Sequence, residues 1–179
     1  MGRKKAAKIT PKVSVGQRIT PFLWFDNQAE EAAKFYTSVF ASIWGSEKTK
    51  IGSIARYGEA GPGQQGTVMV ATFHLDGQEF VALNGGSRFK FTEAISFVIN
   101  CKTEKEVDHF WGKLCEGGEE SMCGWLKDKY GLSWQVVPVV LNQMLTDKDP
   151  VKAKRVMEAM LNMRKIDIPL LKKAYADNR

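Results

Sequence analysis

The feature that most constrains this fold is an internal repeat. Two helical stretches match at a separation of 75 residues: Ala32 with Val107, Phe35 with Phe110, Tyr36 with Trp111, Val39 with Leu114, and Phe40 with Cys115. In each stretch these residues recur at i, i+3, i+4, i+7 and i+8, so they share one helical face. A strand-like run precedes each helix, and the same separation pairs Phe22 with Phe97 and Leu23 with Val98. A repeat of this length predicts two related modules packed side by side.

The rest of each module follows from local signals. In the first, Ile19 to Phe25 is compatible with a strand, with Pro21 near its start, where a missing N–H is tolerated. Asp26-Asn27-Gln28 with Glu30 marks the helix start. Ile51 to Tyr57 is a weak strand and the glycine-rich Gly58–Gly66 a loop. Thr67–Leu75 and Gln78–Leu83 are joined by Asp76-Gly77, a strong hairpin signal. In the second, Ala94–Cys101 reads as a strand, Thr103 with Glu106 as a capping box, and Gly117-Gly118 as a helix stop. Glu119–Lys127, a turn at Asp128–Gly131, and Ser133–Val139 complete it.

Asp149-Pro150 then supplies an N-cap and first-turn proline for a helix carrying Ala153, Val156, Met157, Met160 and Met163, and Asp167 opens a shorter one. The methionine stripe reads as core or dimer packing. The sequence thus predicts an α+β protein of paired βαβββ modules with C-terminal helices. The expected boundaries are a basic leader over 1–18, modules at about 19–91 and 94–140, and a helical extension of the same domain over 141–179.

Charge excludes some functions. Six of the 26 basic residues lie in the first 18 positions and no acid precedes Asp26, which leaves 20 basic against 20 acidic residues in the rest. The net charge of +6 therefore belongs to the leader, and the body carries no basic stripe with interleaved aromatics. Specific nucleic-acid binding is not expected. No apolar run approaches the roughly 18–20 residues of a membrane span, and the leader lacks the apolar segment of a secretory signal. Cys101, Cys115 and Cys123 are odd in number and never spaced Cys-x-x-Cys, which disfavours a disulfide framework and a zinc site and points to a reducing cytoplasm.

The motifs together resemble a known family. Ile19-Thr-Pro-Phe-Leu-Trp-Phe25 with Ala29-Glu-Glu-Ala-Ala-Lys-Phe-Tyr36, Leu83-Asn-Gly-Gly86, Cys123-Gly-Trp-Leu-Lys-Asp128 and Gly131-Leu-Ser-Trp-Gln135 are similar to the PhnB-like branch of the vicinal oxygen chelate superfamily. That superfamily includes glyoxalases, extradiol dioxygenases and bleomycin-resistance proteins. Arg155-Val-Met157 and Met163-Arg-Lys-Ile-Asp167 carry the resemblance into the tail, so it spans Ile19 to about Ala176. It implies the paired-module fold, a homodimer and a small-molecule ligand. The branch often bears the label 3-demethylubiquinone 3-methyltransferase. The sequence gives that label no support, because no strand is followed by a glycine-rich turn opening a helix.

Metal-using members of the superfamily place four His or Glu ligands on inward strand positions. The resemblance brings these to about Pro21, Ala82, Ser96 and Gln135, none of them an ordinary divalent-metal ligand. His74 and His109 are the only histidines, and a solvated or hydrogen-bonded role is expected of both. No metal and no cofactor is therefore expected. Pockets for organic ligands combine apolar walls with a few polar groups, and the candidates are Trp24, Phe73, Asn84, Phe89, Ser96, Trp125 and Gln135. Phe91 and Trp134 complete the aromatic set. Trp134 and Gln135 must face opposite sides of their strand, and Gln135 is expected to face the cavity. Glu79, Glu93, Glu120 and Asp128 read as surface charges, with no pairing that marks acid–base chemistry. A metal-independent binding module is favoured over a metal-dependent enzyme and over methyl transfer.

Overall fold

The computed structural model describes residues 17–177. In the first module, β1 (Phe22–Phe25) leads to α1 (Ala29–Trp44), then β2 (Lys50–Arg56), β3 (Val68–Leu75) and β4 (Gln78–Asn84). In the second, β5 (Ser96–Cys101) leads to α2 (Glu104–Cys115), β6 (Glu119–Glu120), β7 (Trp125–Lys127) and β8 (Ser133–Pro138). Each module forms a four-stranded mixed sheet, ordered β1-β4-β3-β2 and β5-β8-β7-β6, with the first strand parallel to the last. The expected βαβββ plan is present twice. The β3–β4 turn fits its sequence signal: Asp76 and Gly77 both have positive φ, at 48° and 84°.

Each sheet turns one face to the helices. Leu23, Phe25, Ala71, Phe73, Phe80 and Ala82 do so in the first, and Ile99, Cys101, Leu126, Trp134 and Val136 in the second, all of them buried. Tyr36 of α1 stacks on Phe73 of one sheet and lies 5.5 Å from Trp134 of the other, and Phe80 meets Phe97 at 5.2 Å. The helix-facing side chains of both modules therefore form one continuous core, and each sheet keeps an open face.

This geometry corrects the strand part of the repeat. Ala32/Val107, Tyr36/Trp111 and Val39/Leu114 are all buried, so the helices keep the 75-residue match. The strands do not, because Phe22 and Val98 are exposed whereas Leu23 is buried and Phe97 packs on the core. Matching by face pairs Leu23 with Phe97, a separation of 74. The path from strand to helix is one residue longer in the second module, and in a strand a one-residue slip moves every side chain to the other face.

Three local expectations also change. Glu119–Lys127 is not one strand: Cys123 and Gly124 take positive φ, and their N–H groups donate to the carbonyls of Met163 and Arg164, which bends the chain between β6 and β7. The expected helical extension begins two residues early, because Val139, read as the end of a strand, opens a helix, α3 (Val139–Leu145). The start of α1 has no local side-chain cap. Its first N–H, that of Ala29, donates to Asn84 Oδ1 on β4 at 2.8 Å.

The tail continues as α4 (Pro150–Leu161) and α5 (Ile168–Ala176), capped by Asp149 and Asp167 as expected. Val156, Met163, Ile166 and Leu171 pack with Leu141 and Met144 of α3 in a second core, while Met157 stays exposed. No helix among the described residues is long and apolar enough to cross a membrane. The basic leader lies almost wholly outside the described residues. Its end is held: Gln17 accepts from Glu79 N and donates to Glu79 O, both at 3.0 Å.

Candidate functional site

The open face of the first sheet carries Phe22 and Trp24 on β1, Glu79, Val81 and Leu83 on β4, and Val70, Thr72 and His74 on β3, in one register. That of the second carries Ser96 and Val98 on β5, Ser133 and Gln135 on β8, and Trp125 and Lys127 on β7. Phe22 and Val98, 60% and 49% exposed, leave apolar surface on both faces.

The expected pocket residues divide among these surfaces. Ser96, Trp125 and Gln135 come together on the second open face, where Gln135 Nε2 donates to Ser96 Oγ at 2.8 Å. Trp134 points the other way, into the core. Trp24 and Phe89 meet edge to face at 4.9 Å and line a cavity of about 600 Å³ with Phe91, Lys127 and Tyr130. The indole N–H donates to Gly86 O, and the ring lies so close over Gly85 that a Cβ there would sit 2.2 Å from it.

Phe73 is not a pocket wall. It is 1% exposed and sandwiched between Tyr36 and Phe80. Asn84 borders a second cavity of about 590 Å³, but its amide is committed at both ends: Oδ1 caps α1, and Nδ2 donates to Val68 O at 3.0 Å.

Asp128 is not a surface charge. It is 3% exposed and accepts four hydrogen bonds, from Tyr130 N, Leu132 N, Tyr36 Oη and Trp134 Nε1, at 2.7–3.1 Å. Burial pushes its carboxyl above the ordinary aspartate range, and the four donors oppose that rise. It thus ties α1 of one module to β8 of the other. The Asp-x-Tyr turn was the available signal, since an aspartate there bonds its own backbone two residues on. The same turn presents Lys129 and Tyr130 to Glu31 of α1, at 3.0 and 2.7 Å.

The two histidines differ. His109 Nε2 lies 2.9 Å from both Ser42 Oγ and Val39 O and so bridges the helices. His74 Nε2 is 3.5 Å from Glu79 Oε2, and its buried Nδ1 has no partner among the described residues.

The face-corrected register also moves two of the metal-ligand positions. Ala82 points into the core and Pro21 precedes β1. The open-face counterparts of Ser96 and Gln135 in the first module are Phe22 and Leu83. A phenyl, an isobutyl, a hydroxyl and an amide do not make a divalent-metal donor set. Among the described residues no three His, Cys, Asp or Glu side chains converge as metal ligands.

Two mixed βαβββ sheets sharing one core, each with an open face, define a paired-module protein. Residues 17–137 match the family model described as 3-demethylubiquinone-9 3-methyltransferase, and the chain belongs to that family. A Bacillus cereus structure, a putative 3-demethylubiquinone-9 3-methyltransferase described as PhnB protein, is 44% identical. It aligns over 69% of this chain and 100% of its own, with a TM-score of 0.61. The Pseudomonas aeruginosa protein PA1353 shares the fold at 18% identity and a TM-score of 0.57, over 69% of this chain and 98% of its own. The Listeria monocytogenes fosfomycin resistance protein FosX aligns at 13% identity and a TM-score of 0.47, over 73% and 98%. No curated protein matches the chain.

Proposed function

We propose that this protein is a metal-independent small-molecule-binding module whose open sheet faces are completed by a second copy of the chain. The observation that carries the reading is the side-chain chemistry at the four positions where metal-using proteins of this plan place ligands: Phe22, Leu83, Ser96 and Gln135. Apolar groups with a few oriented polar ones suit an organic ligand. The exposed Phe22, Ile95 and Val98 support a homodimer, because a second copy would cover them. Three free cysteines fit a reducing cytoplasm.

A metal-dependent enzyme is the second reading, favoured by the His74–Glu79 pair on the first open face. Methyl transfer would require saturable S-adenosylmethionine binding. The described sheets are mixed and lack the parallel strand–glycine turn–helix unit on which Rossmann-type methyltransferases depend.

Native mass spectrometry of protein purified without chelator or imidazole tests the proposal. A metal-free dimer carrying an organic adduct is the expected result. One divalent ion per site would overturn it and make His74 the first residue to mutate.

A further inference from the structure

The open face of the second sheet holds a recess of about 160 Å³ walled by Glu93, Glu119, Glu120, Trp125, Lys127 and Ser133. Ser133 is 1% exposed, and its Oγ has no hydrogen-bond partner among the described residues. A buried hydroxyl left so is unfavourable, and an occupant of the recess with an N–H or O–H would satisfy it.

The surrounding charge selects the occupant. Of the three carboxylates, Glu93 is paired with Lys127. Glu120 lies 3.9 Å from Arg164 and accepts from Trp111 Nε1 at 3.2 Å. Glu119 forms no salt bridge among the described residues, so the recess keeps one negative charge in excess. Among the described residues no three carboxylates converge as metal ligands, which disfavours a bare metal ion. An organic ammonium directs its N–H groups several ways at once, and the Trp125 ring adds a cation–π surface. The space equals about five waters at ~30 Å³ each, room for an ammonium with a short alkyl stem. The cavity of about 600 Å³ lined by Trp24, Phe89 and Tyr130 shares Glu119 and Lys127 with it and offers the body of such a molecule aromatic contact.

We propose that this recess takes the ammonium end of a small aryl-alkyl amine, an inference resting on the reading of the open faces as a binding surface. Calorimetry on the full chain at pH 7 tests it with three probes of similar shape: phenethylamine, neutral 2-phenylethanol and anionic 3-phenylpropionate. The amine is expected to bind about tenfold more tightly than the alcohol, the value of one charge-assisted hydrogen bond, and the propionate to give no heat. Glu119→Gln, on an exposed strand, should weaken amine binding about five- to tenfold, weaken alcohol binding by less, and leave the melting temperature unchanged. Ser133→Ala should weaken the amine and the alcohol alike, since either can donate to its hydroxyl oxygen. Equal affinity for amine and alcohol would overturn the amine inference while leaving the binding-module reading standing. Tighter propionate binding, an unchanged Glu119→Gln affinity, displacement of the amine by calcium or magnesium, or no binding by any probe would each overturn it as well. Retention of an organic adduct in the native dimer is judged separately.

Discussion

Removing the Asn84 side chain should destabilise this protein more than removing any side chain at the sequence-local start of α1. Asn84 Oδ1 accepts from Ala29 N and its Nδ2 donates to Val68 O, so one amide joins helix α1 to β3 from a place on β4. Asn84→Ala leaves a helix N-terminus without its cap, which costs about 1 kcal/mol, and frees a carbonyl that loses a bond worth about 1 kcal/mol. The expected total is about 2 kcal/mol. In a chain of this size that corresponds to a fall in Tm of roughly 4–8 °C, at about 2–4 °C per kcal/mol. Asn27, which lies in the stretch that marks the helix start in the sequence, is exposed, and no side-chain cap bond forms at the start of α1. Asn27→Ala should therefore change stability by less than about 0.5 kcal/mol. Urea and thermal unfolding of both variants at one protein concentration measures the difference. Equal losses, or a loss at Asn84 below about 0.5 kcal/mol, would refute the distant cap.

Other outcomes follow from the buried polar and thiol groups. Asp128→Ala removes the acceptor of four donors, and at about 1–3 kcal/mol per donor left unpaired it should cost about 3 kcal/mol or more in urea unfolding, even with carboxylate desolvation recovered. Because burial raises the folded carboxyl above its unfolded value, its contribution is fully present below about pH 3.8 and declines as pH rises through the folded value. Asp128→Asn should flatten that part of the stability–pH curve between pH 3 and 7, and an unchanged slope would show that Asp128 does not titrate there. Burial pushes the Cys101 thiol up to about 12 and that of Cys115 up to about 11. At pH 8 only on the order of one Cys115 in a thousand is a thiolate, so iodoacetamide followed by peptide mapping should find both residues unmodified until the protein unfolds.

Much of the fold was legible because periodicity and turn chemistry are local. The helical stripes, the Asp76-Gly77 hairpin and the Asp149 and Asp167 caps all depend on residues within one turn of each other. The errors share a different cause. Strand parity across the repeat depended on one extra residue between β5 and α2, which helix matching cannot detect. The α1 cap came from 55 positions away. Asp128 reads as a surface charge until Tyr36 and Trp134 are brought to it by the packing of the two modules. The bend at Cys123-Gly124 answers to carbonyls of the tail that no local window contains. Of the candidate site, Ser96, Trp125 and Gln135 were found together because they lie on neighbouring strands of one sheet. Phe73 was misplaced because an aromatic on a two-faced strand gives no sign of which side the helix covers.

The shared core has a consequence for how the molecule comes apart. Tyr36 rests on both sheets and Asp128 fastens the second module to the first. Neither half can open without exposing the interior of the other, so the duplicated units have surrendered their independence and should melt as one cooperative foldon. A chain cut in the Gly85–Ala94 connection should yield two fragments that are disordered apart and regain structure only when mixed, the behaviour of a complementing pair rather than of two tethered domains.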